Sequence, residues 1–241
     1  MLFRSVEFVG PGLVLPFSVV YLNEVRGFDL ADAGLLLGIP PLVALAVTGP
    51  GGTLIDRLGA RRVILGAVVL LIASQVVLAF ADTLLLAGAA MVLSGLAQGV
   101  QFPAFTSLIA AVVPSGIRQR YFGLNFTLLN LGIGLGGVVG GLAVDVDSLV
   151  SFQTVYLLDA ASFVPILVLL LGPLRHIAGA PEVAAHETGT ASYRSVLRAP
   201  GLRPLLVLVF GSGFVGYAQL NAGMPRSEEH TSELQSPMYL V

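Results

Sequence analysis

Long uncharged apolar stretches alternate with short charged connections along most of the chain, and this alternation predicts helices that cross a membrane. A bilayer's hydrocarbon core is about 30 Å thick, so a helix needs about 20 predominantly apolar residues to span it. Uncharged runs lie at Phe8 to Asn23, Ala33 to Ile55, Val63 to Ala81, Thr83 to Ile117, Tyr121 to Val144 and Pro204 to Pro225. A further run, Ser148 to Leu174, is broken only by Asp159. Proline removes a helix donor, so the fourth run can bend or end near Pro103 and must end by Pro114. The fold expected is therefore all-α: a polytopic membrane helix bundle of six transmembrane helices plus the start of a seventh. Residues 1–174 form the six-helix domain, 175–203 a cytoplasmic connector, and 204–225 the seventh helix, which opens a second domain. The first span is the weakest, because Glu7, Pro11 and Pro16 interrupt it.

Composition agrees with the pattern. Of the 241 residues 56% are hydrophobic and only 11% charged, against about 25% charged in soluble proteins. An ordinary soluble globule is excluded. The net charge of −2 leaves no basic surface to recruit nucleic acid. The absence of cysteine removes disulfides, thiolate metal sites and cysteine nucleophiles together.

The positive charge is all arginine, and its placement predicts orientation, because positive loops are retained in the cytoplasm. With the N-terminus inside, Arg4, Arg57, Arg61, Arg62, Arg118, Arg120, Arg175, Arg194, Arg198 and Arg203 are cytoplasmic, and Arg26 alone lies outside. The expected location is the plasma (inner) membrane, with the bilayer as the first partner. The connector is rich in Ala, Gly, Pro and Thr around Ala178 to Ala191, the composition of a flexible linker. Residues 226–241 break abruptly into the seventh apolar run and resemble a translated short-read sequencing adapter. They are set aside as a non-native tail, and the gene product is expected to be longer.

The most informative residues are Gly52-Thr-Leu-Ile-Asp56-Arg57-Leu-Gly59-Ala-Arg61-Arg62, in a short turn between the second and third spans. Gly59 permits a turn that residues with a β-carbon resist, and Gly52 is expected to let helix ends approach closely. The segment resembles the signature loop of the major facilitator superfamily: glycine, three residues, aspartate, arginine, any residue, glycine, then basic residues. The resemblance implies a conformational switch, in which Asp56 meets a helix N-terminus of a second half. The plainer alternative is that Asp56 and Arg57 anchor a solvated turn.

In the fifth span, Gly123, Gly132, Gly136, Gly137, Gly140 and Gly141 are similar to a motif of family members that export by antiport, with Gly137 standing where that motif has proline. Gly132, Gly136 and Gly140 recur every four residues and so share one helix face, suited to close packing. In the fourth span, Ser94, Gln98 and Gln101 form a polar stripe at lipid depth, where polar groups need partners or water. The resemblance places that helix beside a central cavity, so the stripe is a candidate for substrate contact, with packing against a neighbouring helix as the alternative. The family often has an arginine where this chain has Gly95. Ionisable groups inside a span default to functional candidates. Glu7 and Asp159 are the two, either able to carry a proton. The alternatives are an interfacial side chain for Glu7 and a hydrogen bond to a polar neighbour for Asp159. Asp159 is expected about 7 residues, or about 10 Å, inside the sixth span.

His176 and His186 fall in the connector and His230 in the tail, so no metal site and no cofactor is expected. Ser212 has no histidine in any span to act as its base, which argues against an enzyme. The resemblance implies a secondary transporter whose missing carboxy-terminal half supplies six more spans, with a small-molecule substrate bound near the membrane midplane and the halves rocking about it. Export of small, often apolar compounds with proton coupling is what such a complete protein would do. The alternative is a non-transporting membrane scaffold or assembly partner that uses the glycine face for association.

Overall fold

The computed structural model describes residues 2–173 and 175–176, with side-chain surroundings from Phe8 onward. The expected seventh span, the tail, most of the connector and the Glu7 side chain lie outside the described residues. Among the described residues there are eight α-helical segments and no strand. They are α1 (Leu2–Val14), α2 (Ser18–Val20), α3 (Leu30–Leu58), α4 (Ala60–Ala79), α5 (Leu84–Val112), α6 (Ser115–Ala143), α7 (Leu149–Ser162) and α8 (Val164–Leu171). Six stretches are long and apolar enough to cross a membrane: Phe8–Val25, Leu30–Leu58, Ala60–Ala79, Leu84–Val112, Ser115–Ala143 and Leu149–Leu171.

Proline decides how regular each span is. Pro11 lies inside α1, and Pro16 falls in a 3-10 turn, Leu15–Phe17, that separates α1 from α2. A π turn, Tyr21–Val25, completes the first span. The sixth span divides at Phe163 because Pro165 in the first turn of α8 has no N–H to give. Pro40, Pro41 and Pro50 are carried inside α3 and Pro103 inside α5 without ending either helix, since neighbouring helices and local adjustments re-satisfy the freed carbonyls. The α5 helix stops at Val112, one residue short of extended Val113 and the following Pro114, which caps α6.

Helix α5 packs between α3 and α4, α6 lies along α1, and α7 touches both α1 and α4, so it joins the two groups. Two apolar clusters result. One gathers Tyr21, Leu22, Leu36, Leu78, Met91, Phe152 and Tyr156. The other gathers Ile55, Ile64, Val68, Leu71, Val100, Phe163 and Leu170. In α4 the clusters are separated between Leu71 and Leu78, and along the sixth span between Tyr156 and Phe163. Ser74, Gln75, Asp159 and Ser162 occupy that interval, which makes a polar layer between two apolar ones.

Candidate functional site

The turn between α3 and α4 is one residue long. Gly59 closes α3 and opens α4 with φ +82° and ψ 145°, a combination open essentially to glycine. Its N–H donates to Ile55 O at 2.8 Å, and its carbonyl accepts from Val63 N at 3.3 Å. The tight reversal forces Asp56, Arg57, Arg61 and Arg62 to one end of the bundle. There they line a pocket of about 280 Å³ together with Arg175 and His176 from the end of the sixth span. Arg61 fixes this arrangement: its Nε donates to Leu170 O at 2.8 Å, across 109 residues of sequence. Asp56, Arg57 and Arg62 are exposed. Gly52 does not supply the close approach expected of it, because a Cβ there would meet no described atom within 4 Å. Its neighbour Gly51 does, where a Cβ would stand 2.7 Å from Val100 Cγ1. One residue is 100° around a helix, so adjacent glycines face different neighbours.

Arginine has the same task at two other helix ends, where the last carbonyls have no intrahelical donor. Arg118 Nη2 donates to Ala110 O at 2.8 Å at the end of α5. Arg26 Nη2 donates to Ala79 O at 2.5 Å at the end of α4, and its Nε donates to the Tyr21 hydroxyl at 2.8 Å. Tyr21 is fully buried, donates to Leu78 O at 2.6 Å, and packs on Tyr156 with ring centroids 4.6 Å apart. The one arginine that departs from the topological pattern is therefore bound into the structure.

The glycines of the fifth span divide in two. Gly132, Gly136 and Gly140 are buried and face α1 and the turn after it. A Cβ would lie 2.5 Å from Phe8 Cβ at Gly132, 2.8 Å from Gly12 Cα at Gly136 and 2.9 Å from Phe17 Cε2 at Gly140. Gly137 has only ordinary contact, at 3.9 Å from Gly12 O, and Gly123 and Gly141 meet no described atom within 4 Å.

Of the polar stripe in α5, Gln98 Nε2 donates to Ser94 Oγ at 2.7 Å. Gln98 is exposed, while Ser94 and Gln101 are half-buried. Between them Gly95 and Gly99 face α3: a Cβ at Gly95 would lie 2.7 Å from Pro40 O, and one at Gly99 would lie 2.8 Å from Ala44 O. That contact is the physical reason no long cationic side chain stands at Gly95.

Asp159 is 2% exposed and accepts a hydrogen bond from Gln75 Nε2 on α4. Ser162 Oγ donates to its main-chain carbonyl at 2.7 Å, and Gly10 of α1 lies directly against the carboxyl. Helix α7 begins at Leu149, ten residues before Asp159, so the carboxylate sits about 15 Å in. This is deeper than the sequence reading placed it and close to the middle of its span. Sequence reading did not pick out Gln75, Tyr21 or Gly12. A lone amide in an otherwise apolar third span was the available signal for Gln75. Nothing in the sequence marked Tyr21, whose role depends on the end of α4.

The sequence profile of the Major Facilitator Superfamily matches residues 3–240. This chain belongs to that superfamily. Among curated relatives, the quinolone resistance protein NorA of Staphylococcus aureus (strain MRSA252) is 29% identical over 204 residues, which cover 85% of this chain and 52% of NorA. NorA of strain Mu50 / ATCC 700699 is 31% identical over 166 residues, 69% of this chain and 42% of the relative. The uncharacterized MFS-type transporter YttB of Bacillus subtilis (strain 168) is 26% identical over 192 residues, 80% and 45% respectively. The chain spans about half the length of the curated relatives it matches. Family and helices together make this superfamily member an all-α, multi-pass membrane protein.

Proposed function

We propose that this chain forms the amino-terminal lobe of a secondary active transporter, which exports small molecules across the plasma membrane by alternating access and proton coupling. The observation that carries the reading is the superfamily match along residues 3–240. Relatives named for quinolone resistance favour export, with small, partly apolar compounds as substrates. In this reading the six-helix domain of residues 1–174 pairs with a second lobe, entered through the connector 175–203 and the helix 204–225. The N-terminus is cytoplasmic, which puts the α3–α4 turn and its arginines inside the cell.

Each site residue then has a task. Asp56 closes the cytoplasmic side by meeting a helix N-terminus of the second lobe, where the helix dipole attracts a carboxylate by about 0.3–1 kcal/mol. Gly59 holds the turn, and Arg57, Arg61 and Arg62 keep it at the cytoplasmic surface. The tight glycine face of α6 makes α1 and α6 move as one body. Ser94, Gln98 and Gln101 offer hydrogen bonds to substrate, and Asp159, at mid-depth beside Gln75, takes up and releases a proton. Glu7 is a second candidate for that proton.

The test is flux in inside-out vesicles with an acidic lumen. The carrier encoded by the uninterrupted gene accumulates a fluorescent quinolone, a protonophore abolishes the accumulation, and Asp56→Asn reduces it. Vesicles holding residues 1–241 alone show no gradient-dependent flux, because alternating access needs two lobes. Accumulation that ignores the gradient, or flux from residues 1–241 above an Asp56→Asn control, would overturn the proposal.

A further inference from the structure

The pocket at the end of the α3–α4 turn has a composition that its role as a switch does not require. Four guanidinium groups, Arg57, Arg61, Arg62 and Arg175, line it against the single carboxylate of Asp56. Two segments far apart in sequence build it, tied by the bond from Arg61 Nε to the last turn of α8. That bond uses one of the five N–H donors of Arg61 and leaves the terminal nitrogens available. Arg175 is steadied by its own bond from Nε to His176 Nε2 at 2.9 Å, and it too keeps its terminal donors. Like charges lining one pocket repel, and an anion among them relieves that repulsion.

We propose that this pocket binds a phosphate group, supplied by an anionic lipid headgroup or by a soluble phosphate. Guanidinium presents paired N–H donors that match phosphate oxygens two at a time, so arginine, and not lysine, suits the site. The volume of about 280 Å³ is near the lower limit of about 300 Å³ for small-ligand pockets, room for one headgroup. The pocket opens where the second, third and sixth spans end, the depth at which a lipid phosphate lies. Basic pockets between helices at that depth are where acidic headgroups collect. Occupancy would hold the ends of the second, third and sixth spans together, independently of what Asp56 meets.

The experiment is native mass spectrometry of the full 241-residue chain in detergent, titrated with dioleoyl phosphatidylglycerol or with dioleoylglycerol, which has the same tails and no phosphate. The chain retains phosphatidylglycerol and releases dioleoylglycerol. Each guanidinium is worth about fivefold in affinity for an acidic headgroup. Arg57→Gln/Arg62→Gln/Arg175→Gln therefore weakens retention about a hundredfold, and exposed Arg120→Gln, outside the pocket, leaves it within about twofold. If circular dichroism shows the triple variant unfolded, Arg175→Gln alone is measured, with about a fivefold loss expected. Displacement of the lipid by millimolar inorganic phosphate assigns the site to soluble phosphates, and resistance to it assigns the site to the headgroup. Equal retention of the two lipids, or retention unchanged in the folded pocket variant, overturns the proposal.

Discussion

Gly12 of α1 and Gly136 of α6 meet backbone to backbone: a Cβ on Gly12 would fall 2.9 Å from Gly136 Cα, and one on Gly136 would fall 2.8 Å from Gly12 Cα. Two helices can approach this closely only where neither has a side chain, and close approach is the main source of helix association when lipid is the solvent. Gly132 and Gly140 extend the contact one turn to either side.

Overpacking at this crossing is expected to cost about 1–3 kcal/mol. Gly136→Ala and Gly12→Ala should each lower stability by that amount in mixed-micelle unfolding followed by circular dichroism. Gly141→Ala, with open space around it, should fall within about 0.5 kcal/mol of the parent. Equal losses at Gly136 and Gly141 would show that the face does not matter.

The hydrogen bond between Gln75 and Asp159 crosses from α4 to α7 at mid-depth. Gln75→Leu leaves a buried carboxyl without that donor and should cost about 1–3 kcal/mol, whereas Gln75→Leu/Asp159→Leu should recover most of the loss, because an apolar pair desolvates nothing polar. Unfolding of the two single variants and the double forms a thermodynamic cycle. Strictly additive losses would mean that the two residues do not act as a pair.

In the apolar cluster around Tyr21, the Tyr21 hydroxyl reaches Leu78 O and Arg26 reaches Ala79 O. Tyr21→Phe removes both the bond its hydroxyl donates to Leu78 O and the one it accepts from Arg26 Nε, and should cost about 1–3 kcal/mol. Arg26→Gln also removes the charge at the end of α4 and should cost up to about 2 kcal/mol. Amide hydrogen exchange reads both locally: protection is expected to fall in the last turn of α4 and to hold at Ala60–Val68. Loss spread evenly along α4 would contradict a capping role.

Gly59 turns the chain with a backbone angle that an L side chain resists. Gly59→Ala is expected to lose about 1–3 kcal/mol, while Asp56→Asn, on an exposed side chain two residues before the end of α3, should change the stability of this chain by less than about 0.5 kcal/mol. The contrast separates strain in the turn from any switching role, since Asp56→Asn is expected to act on flux alone. Thermal unfolding of the two variants in one detergent makes the comparison. A stable Gly59→Ala would mean that the turn relaxes freely.

Much of the architecture was legible in the chain. Six apolar runs became six spans because a helix in lipid must satisfy its own backbone, so length and hydropathy leave few alternatives. The turn at Gly59 could be read because glycine has a local cause. The every-fourth-residue spacing of Gly132, Gly136 and Gly140 fixed a shared face, since helix periodicity needs no partner to be known. Asp159 lies about 15 Å into its span and not the expected depth of about 10 Å, because α7 starts at Leu149, directly after the Ser148 cap, whose hydroxyl accepts from Ser151 N. Among the described residues the close approach to α5 falls at Gly51 and not at Gly52, since adjacent residues differ by 100° and only the position of α5 selects between them.

The sequence by itself determined that this protein is a bundle of membrane-crossing helices with one sharp arginine-rich turn, because hydrophobic length, proline and glycine act within a few residues of themselves. Only the tertiary structure decided which helices meet. It set α1 against α6, seated Asp159 on Gln75, and brought Arg175 to the turn that holds Arg61. These are contacts between residues tens to more than a hundred positions apart, and their geometry depends on how whole helices cross.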